Sequence, residues 1–226
     1  MRTGSSRWTR LAVVAVYATA MAVVEAMVVY YLRRLFALQY AAVFTPGRFV
    51  FPPAYLRHEQ IREAATIVML LAVAFLAGRG LLQKLAYFLL AFGVWDIGYY
   101  FWLWMFVGWP HGPGTWDVLF LIPIPWAGPV WAPIAVSLAL VGFGLAAAQR
   151  CGADRAPKVH SAILAGAIAG GIIVIASFLA NGPALLDGGL PGWYPWPIFV
   201  LGMSVASLAA VMAIRGGAGN IPRSRG

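Results

Sequence analysis

Five carboxylates of this chain lie inside strongly apolar segments or at their ends. They are Glu25, Glu59, Glu63, Asp96 and Asp117. Asp96 stands within WDIGYYFWLW, residues 95–104, where aromatic and aliphatic side chains surround it. A lone carboxylate in hydrocarbon costs about 2.5–3.5 kcal/mol on insertion scales, so such a residue needs a polar partner inside the protein. The sequence therefore predicts a functional polar pocket around these acids.

Candidate partners for Asp96 occur on the same helix and on two others. Tyr99 and Tyr100 follow it by three and four residues, which places them on one helix face as hydrogen-bond donors. Arg33 and Arg62 could balance its charge. We therefore expect Asp96 to face these tyrosines and one of the arginines.

The motif HEQIRE begins the second apolar segment and adds further polar groups. Glu59 and Glu63 are four residues apart and share one stripe, while His58 and Arg62 form an adjacent stripe. Glu25 could face the same space. The predicted pocket consists of Glu25, Arg33, His58, Arg62, Glu63, Asp96, Tyr99, Tyr100 and Asp117.

A structural interpretation competes for three of the acids. Glu59, Glu63 and Asp117 stand near predicted helix N-termini, where a carboxylate stabilises the helix dipole by about 0.3–1 kcal/mol. Asp117 could also be an N-cap. Glu25 and Asp96 lie too far from a helix end for this explanation.

A metal site is one chemical alternative. Glu59, Glu63 and His58 offer oxygen and imidazole ligands suited to zinc, iron or manganese. Their spacing matches neither HExxH nor ExxH, so metal content stays undecided. Haem is disfavoured because the three histidines lie near segment ends, and the single cysteine, Cys151, excludes a disulfide and cysteine-based metal sites.

A lipid or a quinone is the other alternative. Paired carboxylates could serve as acid and base, and arginines could hold a phosphate. The density of rings would suit a flat or long apolar ligand. Catalysis by a serine nucleophile has little support, because Ser137, Ser177, Ser204 and Ser207 lie in apolar segments with no adjacent histidine or acid. Such serines more often bond their own backbone or a neighbour. The sequence leaves open whether the protein is an enzyme.

The elements that must position these residues are membrane-spanning helices. The 226 residues are 62% hydrophobic and 10% charged, whereas a soluble domain carries about 25% charged residues. Six apolar runs predict an all-α bundle in a single integral membrane domain over residues 1–226. The predicted spans are 11–32, 61–78, 85–107, 118–147, 160–180 and 196–214.

The fourth run, VLFLIPIPWAGPVWAPIAV, contains four prolines, and three of them recur every four residues. Each proline removes a backbone donor and kinks a helix. We therefore predict a short helix from about Asp117, a break near Pro123–Pro129, and a longer helix after it. A broken helix of this kind can line a binding site.

The basic residues predict the orientation. Of the sixteen lysines and arginines, eleven fall on the side of the N-terminus if six spans are drawn, so both termini are expected in the cytoplasm and the pocket toward the outer face. The formal charge of +9 is scattered at segment ends, which excludes a nucleic-acid interface.

Three stretches, REAATIVMLLA, FGVWDIGYY and DVLFLIPIPWAGPV, are similar to segments of bacterial multi-pass membrane proteins. The resemblance implies a bacterial cytoplasmic (inner) membrane but no activity.

The expected function is binding of a lipid, quinone or other small molecule in the outer half of the bilayer, with transformation of that molecule left open. One alternative is a non-catalytic subunit or assembly factor of a larger membrane complex, with a membrane-protein partner. A small solute carrier ranks last because the inner halves of the spans offer few polar residues.

Overall fold

The computed structural model describes residues 6–39, 53–150, 160–183 and 192–216. Within these ranges six helices are long and apolar enough to cross a membrane, which confirms the predicted all-α bundle of six spans. The elements are α1 (Arg7–Gln39), α2 (Pro53–Ala77), α3 (Leu81–Val107), β1 (Trp116–Phe120), β2 (Trp126–Pro129), α4 (Trp131–Arg150), α5 (Ser161–Leu179) and α6 (Trp196–Gly216).

The lengths of these helices follow from the medium that they cross. A span needs roughly 20 apolar residues, and the six helices have between 19 and 33 residues. Inside hydrocarbon a helix satisfies its own backbone donors and acceptors. The end of α3 is defined by Gly108, whose φ of 65° is the left-handed conformation that glycine accepts.

Helix α3 is the centre of a four-helix body, because it packs against α1, α2 and α4. Its approach to α4 is close enough that a Cβ on Gly93 would stand 2.6 Å from the carbonyl oxygen of Ser137. Helices α5 and α6 pack mainly on each other, through Gly170 and Gly202, and α6 also contacts α4. The core thus lies along α3, with α5 and α6 as a flanking pair.

The two ends of the bundle differ. At the terminal end, where α1 begins and α6 ends, Arg7 donates to the carbonyl oxygen of Gln149 and Arg10 Nη1 to that of Ala77 at 3.4 Å. These contacts place the start of α1 beside the ends of α4 and α2. At the hairpin end, α1 and α3 end while α2, α4 and α6 begin. The predicted site residues lie toward the hairpin end.

The first part of the predicted fourth span is wrong. Residues from Asp117 form no helix but an antiparallel β-hairpin of β1 and β2, with Trp116 opposite Pro129 and Val118 opposite Ala127. The helix begins only at Trp131. Asp117 therefore neither starts nor caps a helix.

Proline explains this difference. Pro123, Pro125 and Pro129 have no N–H to give to a helix, and in the hairpin they occupy the turn and the end of β2. Pro133 alone of the four is helical, in the first turn of α4, where no intrahelical partner is required. Pairing of β1 with β2 supplies the backbone hydrogen bonds that helix formation would have supplied.

The hairpin lies against α3 rather than above it. The Phe120 ring is 6.2 Å from the Phe92 ring, at an interplanar angle of 17°, and 6.2 Å from the Trp95 ring. Phe92 precedes the end of α3 by fifteen residues, about 22 Å along the axis at 1.5 Å per residue. The hairpin therefore reaches the middle of the third span.

Candidate functional site

Arg62 of α2 joins two buried glutamates. Its Nε atom lies 2.7 Å from Glu59 Oε2, and its Nη1 atom forms an ion pair with Glu25 of α1. Both glutamates are buried, whereas 24% of the Arg62 side chain is exposed. The Thr66 hydroxyl is 3.3 Å from Glu25 Oε2. The predicted proximity of Glu25 and Arg62 is therefore observed, and it ties α1 to α2.

Two other side chains of α2 bind the backbone of the hairpin at a single residue, Leu121. Glu63 Oε2 accepts a hydrogen bond from the Leu121 N–H at 2.9 Å, and Gln60 Nε2 donates to the Leu121 carbonyl oxygen, also at 2.9 Å. Leu121 follows β1 directly, where the strand pairing has already become irregular. Glu63 thus lies in the cluster as predicted, but it holds the backbone of the hairpin.

Asp96 has a partner that we did not predict. Its Oδ2 atom accepts a hydrogen bond at 2.8 Å from Ser137 of α4, whose side chain is buried. The described residues show no salt bridge to Asp96, so the expected pairing with Arg33 or Arg62 is not observed. The Asp96 residue as a whole is half-buried.

Tyr100 binds Asp117 of β1 and not Asp96. Its hydroxyl donates to Asp117 Oδ2 at 3.0 Å. Burial raises the pKa of Asp117 from 3.8 to about 6, although the charge of Arg33 and the hydrogen bond from Tyr100 oppose the rise. Arg33 also lies over the Trp109 ring, 4.1 Å from its centroid, a distance at which a cation–π contact is favourable.

Tyr99 is close enough to both groups of charges to interact electrostatically with Asp117, Arg33, Glu25 and Arg62. The predicted residues therefore come together as two subclusters, one on α1 and α2 and the other on α3, β1 and the end of α1. His58 is an exposed residue of α2.

The metal alternative gains no support. Among the described residues, no three histidine, cysteine, aspartate or glutamate side chains are grouped so that they could hold a metal ion. Glu59 binds Arg62 and Glu63 binds the Leu121 backbone, so these two weak candidates already have other partners.

Sequence reasoning missed three groups. Gln60, Ser137 and the indole N–H of Trp95 were not among the predicted site residues, and Ser137 was expected to bond its own backbone or a neighbour. Trp95 is buried, and its Nε1 atom has no hydrogen-bond partner among the described residues. The signal for Gln60 was available, because it belongs to the same polar motif as Glu59 and Glu63.

The fold and the site define a class, a multi-pass helical membrane protein with a polar cluster and a β-hairpin inserted at one end. The sequence matches no protein-family model, and comparisons with curated proteins and with solved structures give no significant match either. Function is therefore argued from the site itself.

Proposed function

We propose that the protein binds a lipid, a quinone or another small molecule at the polar cluster of the hairpin end. The observation that carries the proposal is the state of Asp96. This carboxylate lies near the middle of a membrane span and accepts a single described hydrogen bond, from Ser137. A carboxylate has about four acceptor positions, so a ligand with a donor group could add to its bonding.

The surroundings of Asp96 suit an amphiphilic ligand. Rings of Tyr99, Tyr100 and Trp109 lie on the side of the hairpin end, and rings of Trp95 and Phe120 lie deeper along α3. Ligand sites typically combine apolar walls with a few polar groups. Aromatic residues are also usual at membrane interfaces, so the rings support the proposal only together with Asp96.

A chemical step on the bound molecule would use the same residues. Asp96 and Asp117 both interact with Tyr100, and two carboxyl groups near one phenol could exchange a proton with a ligand. Binding is the proposal, and turnover of a bound molecule would extend it to catalysis.

We further propose that the hairpin end faces outward from a bacterial cytoplasmic membrane, with both termini in the cytoplasm. The excess of basic residues on the side of the termini supports this orientation. Arg7 and Arg10, which bind helix-end carbonyl oxygens at the terminal end, belong to that excess.

The second candidate is a non-catalytic subunit or assembly factor. The observation that favours it is the ion pairing of Arg62, whose two glutamate partners are buried. Such a cluster can connect helices without contacting a ligand. In that case a partner protein would cover part of the exposed helical surface.

Mass spectrometry of the protein purified in mild detergent tests the two candidates against each other. Binding predicts one lipid, quinone or other small molecule retained per protein at close to equal amounts. A subunit predicts a second polypeptide retained at a fixed ratio and no enriched small molecule. The latter result would refute the proposed binding function.

A further inference from the structure

The end of β1 is attached to α2 and α3 by few groups. The described backbone of β1 makes no extensive contact with α2 or α3, so side chains carry most of that contact. The polar part consists of Gln60 and Glu63 on Leu121 and of Tyr100 on Asp117. The apolar part is the packing of Phe120 on two rings of α3.

The opposite strand is more firmly held. Residues of β2 contact α4 and α5, Gly128 lies against the Phe178 ring, and the Trp126 ring stacks on Phe178 at 6.4 Å. A movement that releases Leu121 could therefore leave β2 and the α5–α6 pair in place.

We infer that the segment Phe120–Leu121, at the end of β1, is a movable strap over the ligand-binding face of α3, and that Gln60 and Glu63 hold it closed through hydrogen bonds to the backbone carbonyl oxygen and N–H of Leu121. The inference rests on the proposed binding function for the identity of that face. It adds the route by which a ligand reaches the face, since displacement of Phe120 and Leu121 opens it.

The residues beneath the strap are those that a ligand would need. Phe120 shields Phe92 and Trp95, and the buried Trp95 indole N–H has no acceptor among the described residues. An unsatisfied buried donor carries a free-energy penalty, which water or a ligand would remove when the strap opens.

The two hydrogen bonds on Leu121 are of a kind that can be broken when the strap opens. The backbone N–H and carbonyl oxygen of Leu121 can exchange both hydrogen bonds for water or for ligand atoms, with no break in strand pairing, since Leu121 lies beyond the paired residues. Ile122 and Ile124 beside it are exposed in the described part of the structure. The strap therefore has an open side toward which it can move.

Cysteine reactivity tests the strap without any ligand. In a Cys151→Ser background, Phe92→Cys places a thiol beneath the Phe120 ring, and its rate of reaction with a small water-soluble maleimide is measured in nanodiscs. Loss of two hydrogen bonds of about 1 kcal/mol each predicts that Gln60→Leu with Glu63→Leu raises this rate at least about tenfold. Each single substitution should give an intermediate rise.

Two controls separate opening of the strap from other effects. Arg57→Leu removes an exposed charge of the same helix, so it should leave the rate at position 92 unchanged. Ala91→Cys, fully buried in the core of the four-helix body, should stay unreactive in every background. Equal rises at positions 91 and 92 would indicate general loosening and would overturn the inference.

An unchanged rate at position 92 in the double variant would also overturn it, because aromatic packing alone would then fix the hairpin. Such a result would leave ligand binding at Asp96 intact. Conversely, if no molecule is bound but position 92 reacts as predicted, the proposed binding function is refuted while the movement of the strap is supported.

Discussion

Removal of the Arg62 guanidinium should destabilise the protein strongly. In Arg62→Leu the carboxylates of Glu25 and Glu59 would stay buried with no cation in contact. Breaking a buried ion pair by removal of one partner costs about 3–5 kcal/mol. Because 24% of the Arg62 side chain is exposed, water can partly replace the cation, and we expect a loss near the lower end, about 3 kcal/mol.

The free energy of unfolding, measured by SDS titration of the protein in mixed micelles, checks this value. Arg57→Leu is the matched control, since Arg57 is an exposed residue of the same helix and should change stability by no more than about 0.5 kcal/mol. A triple variant with Glu25→Gln, Glu59→Gln and Arg62→Leu should recover much of the loss, since uncharged groups bear burial better.

Two results would refute the reasoning. The first is a loss below about 1 kcal/mol in Arg62→Leu, which would mean that solvent already screens both glutamates. The second is a triple variant no more stable than the single one, which would mean that the lost stability comes from packing of the arginine side chain.

Three further predictions concern the pKa of Asp117, the pH dependence of stability, and the packing of α3 on α4. Tyr100→Phe should raise the pKa of Asp117 further above about 6, as measured by the carboxyl infrared band; an unchanged pKa would contradict the hydrogen bond. Between pH 3.8 and about 6 the folded chain keeps the Asp117 proton while the unfolded chain releases it. The unfolding free energy of the wild type, measured relative to Asp117→Asn, should therefore fall as pH rises through that window. An increase of this free-energy difference would contradict the prediction. Gly93→Ala should cost about 1–3 kcal/mol of unfolding free energy, because its Cβ would meet the Ser137 backbone. Gly142→Ala, where a Cβ meets nothing within 4 Å, should be close to neutral, and equal effects of the two would refute the packing argument.

The number of spans could be predicted from the sequence because a membrane constrains chain segments so strongly. Runs of about 20 apolar residues must form helices, since no water satisfies the backbone. The fourth run had the same hydropathy, yet its first part is a hairpin. High hydropathy predicts only that a segment is buried. A hairpin buried among helices can be as apolar as a membrane-spanning helix.

The residues of that run do indicate a hairpin. Trp116 to Phe120 is rich in residues that favour strands, and Pro123 and Pro125 stand two residues apart in a turn. Proline spacing along a helix face suggested a kinked helix, but proline density was the stronger signal. A backbone that lacks donors at several nearby positions cannot remain helical.

Which residues belong to the site could be predicted better than which of them bind each other. The rule that buried carboxylates need partners placed Glu25 and Arg62 in one predicted pocket, and the structure brings the two into contact. It failed for Asp96, because Ser137 comes from a helix more than 40 residues away, and no local spacing indicates which face of α4 meets α3. The hairpin also brought Asp117 to Tyr100, and that contact depended on a fold that the sequence analysis had not recognised.

The most direct test of the central claim is the retention of a bound molecule by Asp96→Asn. This substitution keeps the size of the side chain and a hydrogen-bond acceptor for Ser137, but it removes the charge. Native mass spectrometry should show an inserted, folded variant that has lost the small molecule found on the wild type, while Asp154→Asn retains it. Full retention by Asp96→Asn would contradict a ligand site built on this carboxylate.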